Sequence, residues 1–365
     1  MPHKTNKKRL LFTGVIAPDT VHGVSVSNKI NIDILREDFE IDINAETLHH
    51  DSTPNHPISK GFHFIKSIIH FLGLNISRKY DALYLNISLS SAGILKTFLM
   101  AKCFSLLNSR SHYILHLHRG DVIKFVSQNA IHFWLVSHLL QKASVCFVLS
   151  ESVVEYLEQT LKISRDQLYV LDNTIDAEPS ETKYETEKNT FTFLYLSDYR
   201  KEKGILNLLA TFDSWSKNHP NCQLKCFGKF TDSHIKHQIL AYQSPQISIN
   251  ERISGDEKFS EYRKANCFLF VSENEGKPLV ILEAMFAGLP IISTNVGFIS
   301  EILPLDYPFL FSVGDSELFI QHLETLISNS EIHHPISQKL RDQYWSRFSR
   351  TTHQKNLRLA LKKIF

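Results

Sequence analysis

The sequence predicts an α/β protein built from two doubly wound parallel sheets. Short apolar runs alternate with amphipathic stretches along the whole chain, the pattern of strands joined by crossover helices. A polar, aliphatic-poor segment, 174–190, interrupts this alternation near the middle, with the composition of an interdomain linker. At 365 residues the chain has room for two ordinary domains.

The first half opens with a strand at Arg9–Thr13, a loop from Gly14 to Gly23, and a helix from Ser25 or Ser27 to about Arg36. Ala82–Asn86 and Tyr113–His118 read as buried strands. Val145–Leu149 is another; Ser150 caps the helix Glu151–Leu161 that follows. Leu168–Leu171 closes this half. The second half begins with the strand Phe191–Leu196 and the helix Ile205–Lys217. Next come strand Gln223–Phe227, helix Ser233–Gln243, strand Ile247–Ile249 and a helix near Lys258–Ala265. Cys267–Val271 and Ile291–Thr294 are the last clear strands, around a short helix-like run that ends at Gly288-Leu-Pro290. There is no internal repeat and no low-complexity tract.

Composition narrows the function classes. Net charge is near zero, so nothing draws the chain to nucleic acid. The apolar run after the basic start is too short for a signal-peptide core or a membrane span. Five cysteines, an odd number among apolar neighbours, read as reduced thiols of a cytoplasmic core. Cys222 and Cys226 are four apart, but the segment between them is strand-like and no nearby histidine completes a zinc spacing, which argues against a metal site. His49-His50 and His333-His334 read as solvated loop residues. No G-x-G-x-x-G follows the first strand and no G-x-x-x-x-G-K-[ST] occurs, which disfavours dinucleotide and P-loop sites.

The most informative stretch is Glu275-Gly-Lys-Pro-Leu-Val-Ile-Leu-Glu283, continuing to Gly288-Leu-Pro290. Glu275 falls in the loop after a strand, and Glu283 about two turns into the next helix. In open α/β sheets ligands bind outside the carboxyl ends of the strands, where that loop lies. The apolar neighbours of Glu283 suggest partial burial rather than a helix-surface acid.

These residues, with Thr294-Asn-Val-Gly297-Phe-Ile-Ser-Glu301, resemble the E-x7-E signature of retaining glycosyltransferases of family 4. The close match covers residues 263–303; Lys277 stands where an aromatic is common and Phe298 where a second glycine is common. The resemblance implies the GT-B fold, two Rossmann-like domains facing a central cleft. It implies residues 1–175 as an acceptor-binding domain, 176–190 as linker and 191–343 as a nucleotide-sugar domain. Residues 344–365, including Tyr344-Trp-Ser-Arg-Phe348, would cross back to the first domain. Asn173-Thr-Ile-Asp176 resembles the family's Asn-Gly-x-Asp.

A nucleotide-sugar transferase must hold a diphosphate and stabilise further negative charge as the sugar leaves. By resemblance Lys203, before Gly204, sits on the diphosphate. The family's arginine position holds Asp198, so Arg200 or Lys201 would have to replace that cation. Without the two-glutamate motif this loop would read as an ordinary solvated charge cluster. Gly23 matches a glycine that lets the backbone approach the donor phosphate, although a turn-former is the plainer reading. The amides of Lys277, Leu279 and Val280 (Pro278 has none) would face the phosphates from a helix start. Glu275 would contact donor-sugar hydroxyls and Glu283 the ribose, since a carboxylate accepts two hydrogen bonds from vicinal diols. His118, at a strand's carboxyl end, matches a family histidine near the transferred sugar. His116 shares its strand face, and a core histidine is the plain alternative for it. The H-x-H pair lacks a third metal ligand. Asp121 and Asp19 are weaker acceptor-side candidates. No cofactor and no metal are expected.

Between residues 52 and 120 the only acid is Asp81, against eight cations including Lys60, Lys66, Lys96, Lys102 and Arg110. Within it Ile58–Leu72 is basic, aromatic and amphipathic, suited to an anionic bilayer surface, though a helix buried on one side fits equally. The expectation is a cytoplasmic enzyme, peripheral on the inner face of the cell membrane. Its donor would be UDP- or GDP-linked and its acceptor a lipid-linked saccharide or oligosaccharide of a bacterial surface polysaccharide. The alternatives are a GT-B epimerase or hydrolase, or a membrane-bound scaffold with a degenerate transferase fold, which Asp198 keeps open.

Overall fold

The computed structural model describes residues 7–18, 22–46, 57–177 and 190–365. Asp19, His49-His50 and nearly all of the linker lie outside the described residues, as do the side chains of the first turns of the 58–72 stretch. The chain divides into two compact units, Met1–Asp176 with Arg350–Phe365, and Ala177–Ser349.

In the first unit the elements run β1 (Lys8–Val15), α1 (Gly23–Leu35), β2 (Phe39–Glu46), α2 (Pro57–Ser77), β3 (Ala82–Asn86) and α3 (Ser91–Leu107). They continue as β4 (His112–His116), α4 (Val122–Ser127), α5 (Ala130–Gln141), β5 (Val145–Val148), α6 (Glu151–Leu161) and β6 (Leu168–Val170). The strands form one parallel sheet in the order β2-β1-β3-β4-β5-β6. Phe12 stands opposite Tyr84 in the register, and their rings stack at 4.6 Å.

The second unit runs β7 (Phe191–Leu196), α7 (Ile205–Ser216), β8 (Cys222–Phe227), α8 (Ser233–Leu240), β9 (Ile247–Asn250), α9 (Gly255–Lys264) and β10 (Cys267–Phe270). Then follow α10 (Leu279–Ala287), β11 (Ile291–Thr294), α11 (Ile299–Ile302), β12 (Leu310–Phe311), α12 (Ser316–Ser328) and α13 (His333–Gln343). This sheet is also parallel, in the order β12-β11-β10-β7-β8-β9. Tyr344–Phe348 is a π-helical turn of the second unit, and Tyr344 and Trp345 pack on Phe286 of α10. Helix α14 (Arg350–Leu361) belongs to the first unit. Its Leu357, Ala360 and Leu361 join the core around Leu10, Phe12 and Tyr84. The return of the chain thus begins at Arg350, six residues after the expected Tyr344, because the aromatic turn serves the second unit's core.

Chain order reverses between β1 and β3 in one sheet and between β7 and β10 in the other. Each reversal leaves a crevice at the carboxyl ends of the two strands, the usual ligand position of open sheets.

Several elements escaped the sequence reading. On the edge strand β2 only Phe39 and Asn44 are buried, so its apolar alternation is faint. Helix α3 has apolar side chains all round, which blurs a helical period. Helix α1 starts at Gly23 rather than Ser25, because His22 and Ser25 cap each other reciprocally at 3.3 and 3.0 Å. Strand β4 ends at His116, two residues short of His118.

Candidate functional site

At the β7/β10 crevice two loops meet. The loop after β7 makes a 3₁₀ turn over Lys201–Lys203 and ends at Gly204, whose φ is +73°. A Cβ there would lie 2.0 Å from the Val271 carbonyl oxygen, so the loop can close on the end of β10 only with glycine. The Glu273 amide and the Ser272 hydroxyl donate to the Glu202 carbonyl at 2.9 and 3.2 Å, fastening the two loops together. Gly297, at φ +57°, does the same for the loop after β11: its Cβ would lie 2.0 Å from the Glu275 carbonyl. The Phe298 amide then donates to the Gly276 carbonyl at 3.2 Å, and Phe298 itself is buried.

This packing brings Lys203 and Glu275 together as an ion pair, Nζ on Oε1, with both side chains largely buried. The Ser272 hydroxyl oxygen also lies 3.2 Å from Glu275 Oε1. Helix α10 begins at Leu279 behind Pro278 with no side-chain cap, so its first amides, those of Leu279 and Val280, lack the usual side-chain partner. Glu283 is the fifth residue of that helix, one turn in rather than two, since the Pro278 turn delays the start. It is buried at 5% exposure. Its carboxylate takes Lys258 Nζ at 2.5 Å and the Tyr262 hydroxyl at 3.1 Å; the Tyr262 oxygen also lies 3.1 Å from the Val280 carbonyl. Burial, then the Glu283 charge, raises the Tyr262 hydroxyl pKa well above its usual value, so it remains a donor. Lys258 and Tyr262 were not singled out from sequence; their i, i+4 spacing on a charged helix was the available signal.

The Lys277 side chain is sealed in the protein, 1% exposed, with Nζ 3.8 Å from Glu301. What Lys277 offers a ligand is its backbone. Arg200 leans on Glu202 at 3.8 Å and Lys201 is exposed. Asp198, where an arginine was expected, is instead ion-paired with Arg252 from the loop after β9. Arg252 is a second residue that sequence reasoning missed, because the pairing joins positions 54 apart.

At the β1/β3 crevice a network of neutral polar groups is joined by hydrogen bonds. Asn28, fully buried on α1, donates from Nδ2 to the Val15 carbonyl at 2.8 Å and receives His118 Nε2 on Oδ1 at 3.1 Å. The His118 ring lies against that of His116, with centroids 3.6 Å apart and the planes tilted by 31°. His116 Nδ1 lies 2.7 Å from the Tyr84 hydroxyl, which Asn31 also meets, at 3.3 Å. His353 on α14 extends the chain, 2.6 Å from Asn31 Oδ1 and 2.7 Å from the Asp172 carbonyl. Burial, then the neighbouring His22 and His353, lowers His118 to about 3. Burial likewise lowers His353 to about 4 and His116 well below the ordinary value. Gly23 is exposed at the first position of α1, and Asp121 is paired with Arg119. Among the described residues no three His, Cys, Asp or Glu side chains come together as a metal ion would need.

Residues 176–343 match the family model of the glycosyl transferases group 1. The chain has the GT-B fold of glycosyltransferases. It superposes on HepE of Anabaena, solved in complex with UDP-glucose, with a TM-score of 0.69 at 15% identity, covering 98% of this chain and 100% of that one. In sequence it is 36% identical over 226 residues to sulfoquinovosyl transferase SQD2 of Arabidopsis thaliana, covering 58% of this chain and 43% of that protein. It is 27% identical over 180 residues to the capsular polysaccharide biosynthesis glycosyltransferase CapM of Staphylococcus aureus, covering 48% and 47%. The chain thus spans less than half the length of these two relatives.

Proposed function

We propose that this GT-B protein is a retaining glycosyltransferase that moves a sugar from a nucleotide-diphosphate donor, UDP- or GDP-linked, to a saccharide acceptor. The observation that carries this is the Lys203–Glu275 pair at the β7/β10 crevice, inside the segment that matches a glycosyltransferase family. Lys203 leaves Glu275 for the donor phosphates, and the freed carboxylate accepts hydroxyls of the sugar. Arg252, held by Asp198, supplies the second cation in place of Arg200 or Lys201. Among the described residues its side chain contacts only Asp198, which leaves other guanidinium donors for an oxyanion. This favours an enzyme over a scaffold. The Lys277, Leu279 and Val280 amides add the dipole of α10, and Glu283 takes the ribose with Lys258 and Tyr262 holding it. The C1–O bond to the diphosphate breaks while the acceptor oxygen bonds C1 on the same face. The acceptor proton passes to the leaving phosphate oxygen. These cations and amides carry the charge, with no resident metal.

The acceptor is a lipid-linked saccharide of a bacterial surface polysaccharide such as O-antigen, lipopolysaccharide or capsule. The likeness to CapM supports this, as does one face of the first unit. Ile65 and Ile69 of α2, Leu95 and Leu99 of α3, and Ile131 and Trp134 of α5 are exposed apolar side chains. Lys66, Lys102, Lys124 and Lys142 lie on the same helices or next to them, and such cations add about 1 kcal/mol each at an anionic bilayer. Among the described residues no helix is long and apolar enough to cross a membrane. Peripheral docking on the cytoplasmic leaflet fits this face.

The test is a thermal-shift screen of UDP- and GDP-linked sugars, followed by transfer to lipid-linked acceptors with the product anomer read by NMR. A donor-dependent shift and a retained anomer are expected. No shift with any donor refutes the reading, and an inverted anomer refutes retention.

A further inference from the structure

His118 can be followed proton by proton. The Val15 carbonyl oxygen only accepts, so the Asn28 group 2.8 Å from it is the amide nitrogen, and the carboxamide oxygen faces His118. That oxygen also only accepts, so His118 Nε2, 3.1 Å away, carries a proton. The ring is neutral, because burial has pushed its pKa far below the working range. A neutral imidazole has one N–H, so Nδ1 holds a lone pair. Among the described residues Asn28 makes no other side-chain hydrogen bond, and His118 Nδ1 makes none. The arrangement is rigid. Asn28 is fully buried, and the His116 ring lies against the His118 ring. Gly14 makes the room: a Cβ there would stand 2.2 Å from Asn86 Nδ2 and 3.2 Å from Asn28 Nδ2. His118 itself is half-buried, at the carboxyl end of the sheet.

We infer that Asn28 is a positioning residue: it holds His118 in the Nε2–H tautomer, so that Nδ1 accepts a hydrogen bond from a sugar hydroxyl. The second half of this statement rests on the transferase reading; the tautomer does not.

The test uses the full chain labelled with ¹⁵N-histidine, with the His118 signals assigned by their loss in His118→Gln. At neutral pH the wild type is expected to show a protonated Nε2 and a pyridine-like Nδ1. Asn28→Asp keeps an acceptor and should keep the tautomer while raising the His118 titration midpoint, as its carboxylate favours the imidazolium. Asn28→Leu removes the acceptor, should populate Nδ1–H, and should cut kcat/KM for transfer by about tenfold, the worth of one hydrogen bond. A wild type protonated on Nδ1 overturns the inference, as does an unchanged tautomer in Asn28→Leu. If the tautomers behave as stated but the wild type transfers no sugar from any donor, the transferase reading fails while the Asn28 assignment stands.

Discussion

The two sheets place polar groups at the same topological point and make opposite electrostatic choices. At the β7/β10 crevice the groups are charged: Lys203 with Glu275, Lys258 with Glu283, Arg252 with Asp198. At the β1/β3 crevice a network of neutral amides, imidazoles and a phenol is joined by hydrogen bonds, all of it buried except His118, which is half-buried. Ion pairs can exchange partners for a charged ligand without leaving a bare charge. A neutral network cannot attract a diphosphate, but it can fix lone pairs and protons for hydroxyls.

The largest effect that would break this contrast comes from Glu275→Ala. Removing the carboxylate leaves Lys203 without its partner and the donor sugar without an acceptor. Transfer should fall by about 10³-fold, the scale of a lost transition-state contact, while the variant keeps its fold as read by circular dichroism. Full activity in that variant would end the assignment. Arg252→Ala should weaken UDP or GDP binding by about tenfold, as expected for one charge-assisted contact, and leave uridine or guanosine binding unchanged. Adding Asp198→Arg to that variant should restore affinity; a double variant no better than the single one counts against Arg252 as the second cation.

The neutral crevice should show itself through acid. His118 and His353 titrate near 3 and 4 when folded, against about 6.5 in the unfolded chain. Below about 6.5 the unfolded state therefore binds protons that the folded state refuses. Their stabilising contribution is complete above that pH and is lost as pH falls towards 4. The unfolding free energy should fall steeply over this window, by up to about 1.4 kcal/mol per pH unit for each such histidine. A flat profile from pH 7 to 4.5 would contradict their neutral state in the fold. A smaller effect sharpens the comparison from the loop side. Gly204→Ala, at φ +73° and against the Val271 carbonyl, should cost about 1–3 kcal/mol in denaturant unfolding. Trp134→Ser should reduce binding to vesicles rich in anionic lipid at low salt, by the lost burial of one aromatic, about 2 kcal/mol. Unchanged binding would remove α5 from the docking face.

How much was legible in the sequence differs between the crevices for a physical reason. The β7/β10 site is built from local signals: Glu275 and Glu283 flank one helix start, and Lys203 precedes a glycine that only a left-handed turn explains. Strands such as Ala82–Asn86 and Phe191–Leu196 were also plain, because buried parallel strands are continuous apolar runs. What stayed hidden depends on residues far apart in the chain. Arg252 reaches Asp198 across β8, and Asn28 reaches His118 over a separation of 90 positions. Neither asparagine nor a lone arginine carries a pattern of its own. His353, 322 positions from Asn31, could be found only once α14 was packed in the first unit.

The most direct measurement is calorimetric titration of UDP and GDP, then of their sugar conjugates, into wild type, Lys203→Ala and Glu275→Gln. The account predicts that wild type binds one nucleotide and that Lys203→Ala weakens it by about tenfold or more. Glu275→Gln should keep the nucleotide while losing the added affinity of the sugar. Wild type that binds neither nucleotide, or a Lys203→Ala variant that binds as wild type does, would contradict it.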